Sequence, residues 1–204
     1  MDHTDHTRKG LSSRRSGLAQ DWCTLLERGW NAISREERLF CSYLYFDLRR
    51  DPKPFLGLID RADFEVVDVG FEVCLKRDVL AFIDPNRTRK GLPFIKRTFD
   101  LCLFGSREIL CVEAKAHQSL RSDREQWRSF TRLRADLGAV MGLDPDAIRF
   151  FGLTSSRDTK RPRNLTEAFD KIVHWQDVAR VYDRSGRADV YVRADDVFPA
   201  RATP

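Results

Sequence analysis

Asp100, Glu113 and Lys115 have the types and spacing to hold a divalent cation between two carboxylates with an ammonium beside them. Asp100 lies in the run Phe99-Asp100-Leu101-Cys102-Leu103-Phe104, and Glu113 in Ile109-Leu110-Cys111-Val112-Glu113-Ala114. The intervening Gly105-Ser106-Arg107-Glu108 is short, polar and begins with glycine, so the whole reads as a β-hairpin. Side chains alternate between the faces of a strand. Ile109, Cys111, Glu113 and Lys115 therefore share one side of their arm, and Asp100, Cys102 and Phe104 share one side of the other. A turn centred on Ser106-Arg107 pairs Phe104 with Ile109, Cys102 with Cys111 and Asp100 with Glu113. Directly opposed residues hold their Cβ atoms about 4.5–5.5 Å apart, and Lys115 stands one step further along the same face.

Two carboxylates facing each other across a sheet repel, and buried carboxylates must be paired or coordinated. Lys115 supplies one positive charge. Mg²⁺ or Mn²⁺ would supply the rest, since both favour carboxylate oxygen. The plainer alternative is a buried ion pair between Lys115 and either acid at a sheet end. The apolar runs on both sides and the expected register favour a site.

Two helices must frame this hairpin. Ser34 and Glu37 form an S-x-x-E capping box, after which Phe40, Cys41, Leu44 and Leu48 recur at helical spacing until Pro52 and Pro54 end the helix. Glu37 leads the inward stripe Cys41–Leu44–Leu48, which makes it an accessory candidate as well as a capping residue; Glu36 lies on the Phe40–Tyr43 stripe and suits the role less. A second box, Ser122 with Glu125, opens a helix to Gly138. Gln126 leads its stripe of Phe130, Leu133 and Leu137. Arg121, Arg124, Arg128 and Arg132 line one side of it, and Arg87, Arg89, Lys90, Lys96 and Arg97 come from the loop ahead of the hairpin. Such a band would hold phosphates with salt-dependent affinity, although a solvated helix face with Glu125 and Asp136 as partners produces the same row.

The remaining elements are simpler. Residues 1–17 are polar and basic without periodicity, and are expected to be disordered. Trp22, Leu25, Leu26 and Trp30 suggest a short helix, and Phe64–Val69 and Phe71–Leu75 two extended pieces. Ala147–Thr154 reads as a buried strand and Leu165–Trp175 as a helix. The tail from Gln176 holds a helix-like piece and the apolar run Val190–Val192. The order helix, strand, hairpin, helix, strand predicts an α/β fold, a mixed sheet flanked by helices, with the hairpin central because both its faces are apolar. One domain over 18–204 is expected, with a core at about 34–156 and a C-terminal extension from 157.

Asp100, twelve residues, then Glu113-Ala114-Lys115 on adjoining strands resembles the signature of the PD-(D/E)XK nuclease superfamily. The resemblance spans about Ser34 to Thr154 and implies a restriction-endonuclease-like αβββαβ core. It implies that Asp100, Glu113 and the carbonyl of Ala114 hold the metal, that Lys115 orients or activates the attacking water, and that Glu37 adds a carboxylate from the first helix. Gln126 followed by Phe130 is similar to the glutamine and aromatic found after E-x-K in recombination-exonuclease-like members, where tyrosine is usual. Phe99 stands where the signature has proline. The implied activity is Mg²⁺-dependent hydrolysis of nucleic acid, with DNA favoured, by a chain small enough to act as a homodimer or with a partner subunit. A non-catalytic nucleic-acid- or protein-binding module on the same fold is the alternative.

Composition agrees without deciding. The net charge is +5, and arginine outnumbers lysine 28 to 8, which suits bidentate phosphate binding but also follows from GC-rich coding. The five cysteines form no C-x-x-C pair and read as buried thiols. No apolar run approaches the ~20 residues that span a bilayer, and Met1-Asp2-His3-Thr4 begins no secretory signal, so a cytoplasmic location is expected. Gly-rich phosphate loops, a serine elbow and His/Cys metal spacing are all missing.

Overall fold

The computed structural model describes residues 36–80, 98–120, 130–160 and 163–198. The chain divides into two units, Met1–Glu36 and Glu37–Pro204, and the description below is of the second. The predicted leader, the Trp22–Trp30 helix, Ser34, the basic loop with Lys96 and Arg97, and the stretch carrying Arg121, Ser122, Arg124, Glu125, Gln126 and Arg128 lie outside the described residues.

Five strands form one mixed open sheet in sequence order: β1 (Asp68–Cys74), β2 (Thr98–Phe104), β3 (Ile109–Ala114), β4 (Ile148–Thr154) and β5 (Lys171–His174). The first three are antiparallel and the last three parallel. Helices α1 (Glu36–Arg50), α2 (Lys53–Leu58), α5 (Trp175–Val181) and α6 (Ala188–Asp196) cover one face. The crossover helices α3 (Phe130–Met141) and α4 (Arg163–Ala168) cover the other. With helices on both faces every residue of β3 is buried, which is why its sequence is a continuous apolar run rather than an alternation. Among the described residues no helix is long and apolar enough to cross a membrane.

The helix α1 follows its stripe: Phe40, Cys41, Leu44 and Leu48 are fully buried against the sheet. Its far end is tied down by Asp47, which accepts from the Tyr191 hydroxyl at 2.6 Å and pairs with Arg187 at 3.3 Å. Pro52 and Pro54 stop α1 as expected, but they also open α2, with Pro52 at its N-cap. Proline lacks an N–H that the first helical turn would leave unsatisfied anyway, so the same residues end one helix and start another.

Four expectations need correction. Phe64–Val69 and Phe71–Leu75 are not two strands: pairing begins at Asp68 and runs through Gly70 to Cys74, and Leu75–Leu80 forms a π-helical turn. Ala147 belongs to a short 3₁₀ turn, Pro145–Ala147, that precedes β4. Gly138 does not end its helix, which continues to Met141; the left-handed Gly142 (φ 67°) closes it, and the Leu143 N–H donates to the Gly138 carbonyl at 3.0 Å. A Cβ at Gly138 would lie 2.8 Å from the Leu143 oxygen, so close approach of the returning chain explains this glycine. Finally, Leu165–Trp175 is not one helix. It splits into α4, the edge strand β5 and the start of α5. A four-residue strand has too short a period to be separated from a helical pattern, and pairing with β4 decides it.

The sheet departs from simple alternation at one place. Glu72 has φ 51°, and across it the strand changes sides: Val69 and Phe71 pack in the α1 layer, Val73 in the α3 layer. On β2, Leu101 and Leu103 face α1, whereas Phe99 stacks on Phe150 at 5.5 Å in the α3 layer. Register is kept through this change, Phe71 opposing Leu101 and Val73 opposing Phe99.

Candidate active site

The hairpin has the expected register, Phe104 with Ile109 and Cys102 with Cys111, and the described ladder ends at Leu101 with Val112. Its four-residue connection is closed by the Gly105 N–H donating to the Glu108 carbonyl at 2.9 Å. Continuing the register one step sets Asp100 opposite Glu113. In place of a further ladder bond, the Ala114 N–H donates to Asp100 Oδ2 at 2.7 Å. The reversal at Asp100 means that it does not simply share a face with Cys102, as strict alternation predicts. The carboxyl is directed along the sheet towards the end of β3.

Lys115 follows directly on β3. Its backbone is held from two sides: its N–H donates to the Leu153 carbonyl at 2.8 Å, and its carbonyl accepts from Trp175 Nε1 at 3.2 Å. Its ammonium donates to Glu113 Oε1 at 2.7 Å and to Glu37 Oε1 at 3.4 Å. The other oxygen of Glu37 accepts the Ala116 N–H at 3.0 Å. Glu37, in the first turn of α1, thus reaches the end of the hairpin 78 residues later in the chain.

Two carboxylates therefore hold one ammonium, and the Asp100 carboxyl acts on it electrostatically. Burial pushes the Asp100 carboxyl up to about 8, with the charge of Glu113 adding to the effect and Lys115 and the Ala114 N–H opposing it. Part of Asp100 remains open to solvent, but its carboxyl end lies among dense protein atoms. Burial works against the charged form of Lys115, yet Glu113, Glu37 and Asp100 together hold its proton more tightly than usual. Cys41 lies beneath, its thiol pushed well up by burial and by Asp100, Glu37 and Glu113.

Surplus negative charge on hard oxygen donors fits a hard divalent cation. Among the described residues, no group of three or more His, Cys, Asp or Glu side chains is set to hold a metal ion. That does not conflict with Mg²⁺, which is usually bound by one or two carboxylates and keeps several waters. Asp100, Glu113 and the Ala114 carbonyl would form such a set.

Sequence reasoning missed the groups that brace the site. By sequence Trp175 ends the predicted helix from Leu165, and nothing in its type signals a hydrogen bond to Lys115. Asp158, buried beyond β4, accepts from Ser119 Oγ at 2.9 Å and from the Leu120 N–H at 3.3 Å, tying the segment after Lys115 to the exit of β4. Of the basic row on the second predicted helix only Arg132 is described; it is exposed and pairs with Asp136 at 3.6 Å, as a solvated face would. No protein-family model matches the chain, and no curated protein matches it.

Proposed function

We propose that this chain is a metal-dependent phosphodiesterase of the PD-(D/E)XK type that hydrolyses nucleic acid, with DNA the favoured substrate. One observation carries the reading: the Lys115 ammonium sits between Glu113 and Glu37, with the buried carboxyl of Asp100 at the same end of the hairpin. The element order helix, three antiparallel strands, helix, parallel strand is compatible with a restriction-endonuclease-like core.

Asp100, Glu113 and the Ala114 carbonyl would hold Mg²⁺ or Mn²⁺, and the bound cation would stabilise charge developing on the phosphate and lower the pKa of a coordinated water. Lys115 stays protonated through the working pH range, so its role is electrostatic: it orients water through an N–H and stabilises the negative charge of attack. Glu37 holds that ammonium in place and, through Ala116, fixes the chain just beyond it. Substrate phosphates would be gathered by the basic residues flanking the hairpin, Lys96, Arg97, Arg121, Arg124 and Arg128, with Gln126 accessory.

The test is cleavage of single- and double-stranded DNA and of RNA with and without Mg²⁺. Wild type should cut only with the metal, and Lys115→Ala and Asp100→Ala should lose cleavage by at least about a hundredfold while melting cooperatively. Cleavage by both variants at the wild-type rate would refute the assignment.

A further inference from the structure

Glu72 lies on an edge strand and outside the carboxyl cluster, yet among the described strand residues it is the one non-glycine with a left-handed backbone, φ 51°. We propose that Glu72 is a positioning residue whose backbone conformation aims the Asp100 carboxyl at the end of β3. Its consequence for metal binding rests on the proposed function; its consequence for the geometry of Asp100 does not.

Left-handed dihedrals are costly for an L residue, and such outliers persist where surrounding structure requires them. Here the outlier reverses the facing of two strands together. Phe71 and its partner Leu101 lie in the α1 layer, while Val73 and its partner Phe99 lie in the α3 layer, where Phe99 packs on Phe130 and Phe150. Glu72 and Asp100 are the residues at which the reversal occurs. Without it, Asp100 would stand beside Cys102, whose surroundings are apolar and fully buried. With it, Asp100 Oδ2 receives the Ala114 N–H at 2.7 Å. An edge strand has a single neighbour, so the reversal in β1 acts on β2 alone.

The side chain adds a second tie. The Glu72 carboxylate forms an ion pair with the Arg38 guanidinium, and Arg38 adjoins Glu37, which meets Lys115. The reversal in β1 is thereby linked to the helix turn that carries the third carboxyl.

The experiment compares Glu72→Gly, Glu72→Asn and Glu72→Val in the full chain by Mn²⁺ titration calorimetry and by amide hydrogen exchange of Ala114. Glycine and asparagine accept left-handed dihedrals, and β-branched valine resists them. The Gly and Asn variants should bind Mn²⁺ within about threefold of wild type and keep the Ala114 amide protected. The Val variant should lose about tenfold or more in affinity, as loss of an orienting group does, and Ala114 should exchange about tenfold faster. If the Val variant does not fold, Glu72→Thr, β-branched but polar, replaces it with the same expectation. Wild-type Mn²⁺ affinity and Ala114 protection in a folded β-branched variant would overturn the proposal, as would losses in the Gly variant equal to those in Val. If wild type itself binds no Mn²⁺, the metal-site reading fails, and exchange at Ala114 still decides whether Glu72 sets Asp100.

Discussion

Asp100 Oδ2 accepts the backbone N–H of Ala114 at 2.7 Å, so a side chain on β2 occupies the place of a ladder partner on β3. The hairpin opens at this bond. Glu113 and Lys115 lie on either side of Ala114 in the chain, so the bond fixes the first carboxyl of the cluster against the backbone that carries the other two charged groups. The electrostatics of this arrangement lead to three predictions beyond the loss of cleavage in the Lys115 and Asp100 variants, and the close packing after α3 leads to a fourth.

Asp100 should make metal-free stability depend on pH in the direction opposite to an ordinary paired aspartate. Its carboxyl is raised to about 8 in the folded chain, against about 3.9 when unfolded. A raised pKa contributes stability that is complete below the unfolded value and is lost as pH rises through the folded one. With chelator present, the melting temperature should fall as pH rises from about 4 to about 8, and Asp100→Asn should flatten that slope. An equal slope in the variant would exclude Asp100 as its source.

A cation should displace the proton that Asp100 holds. Burial holds the proton on this carboxyl to higher pH than on an ordinary aspartate, so the number of protons released when Mn²⁺ binds near neutral pH should be greater than zero. Calorimetry in buffers of different ionisation enthalpy measures that number directly, and Asp100→Asn should abolish the release. Binding without release would mean that the cation does not reach Asp100.

Glu37 combines a charge with a hydrogen-bond acceptor, and two substitutions separate them. Glu37→Gln keeps an acceptor for the Ala116 N–H and loses the charge beside Lys115; Glu37→Ala loses both. The Ala variant should be about 1 kcal/mol less stable than the Gln variant by chemical denaturation. Both should reduce Mg²⁺-dependent cleavage by about tenfold or more. Equal stability of the two variants would show that the Ala116 bond contributes nothing.

Gly138→Ala should destabilise the chain although it improves helix propensity by about 1 kcal/mol. The added methyl would meet the Leu143 carbonyl oxygen at 2.8 Å and Pro145 N at 3.2 Å, both backbone atoms that cannot swing away. A net loss of about 1–3 kcal/mol is expected from denaturant titration. A stabilised variant would show that the turn after α3 yields freely.

Much of the site was legible in the order of residues because a hairpin is a local device. A short polar turn between two apolar runs sets the register, and the register follows from counting outward from Ser106-Arg107, as the Cys102–Cys111 pairing shows. Glu37 was legible as the head of an amphipathic stripe, since its partners lie at helical spacing. Fold class followed from the same local periods. Where they misled, the competing term was long-range: β5 exists because β4 offers it a partner, and Gly138 sits inside a helix because the chain returns over it.

Tertiary structure alone decided how these pieces meet. That Glu37 would touch Lys115, that Trp175 would hold the Lys115 carbonyl and that Asp158 would fasten the segment after it depend on contacts between residues 38 to 78 positions apart. Such contacts are set by packing of whole layers and leave no periodic trace in the chain. The turn of Asp100 towards Ala114 is of the same kind. Its own run of residues predicts plain alternation, and the reversal coincides with a left-handed backbone at Glu72 on the neighbouring strand. Residue order thus determined which charged groups the hairpin carries and in what register, while the packing of its neighbours determined where they point.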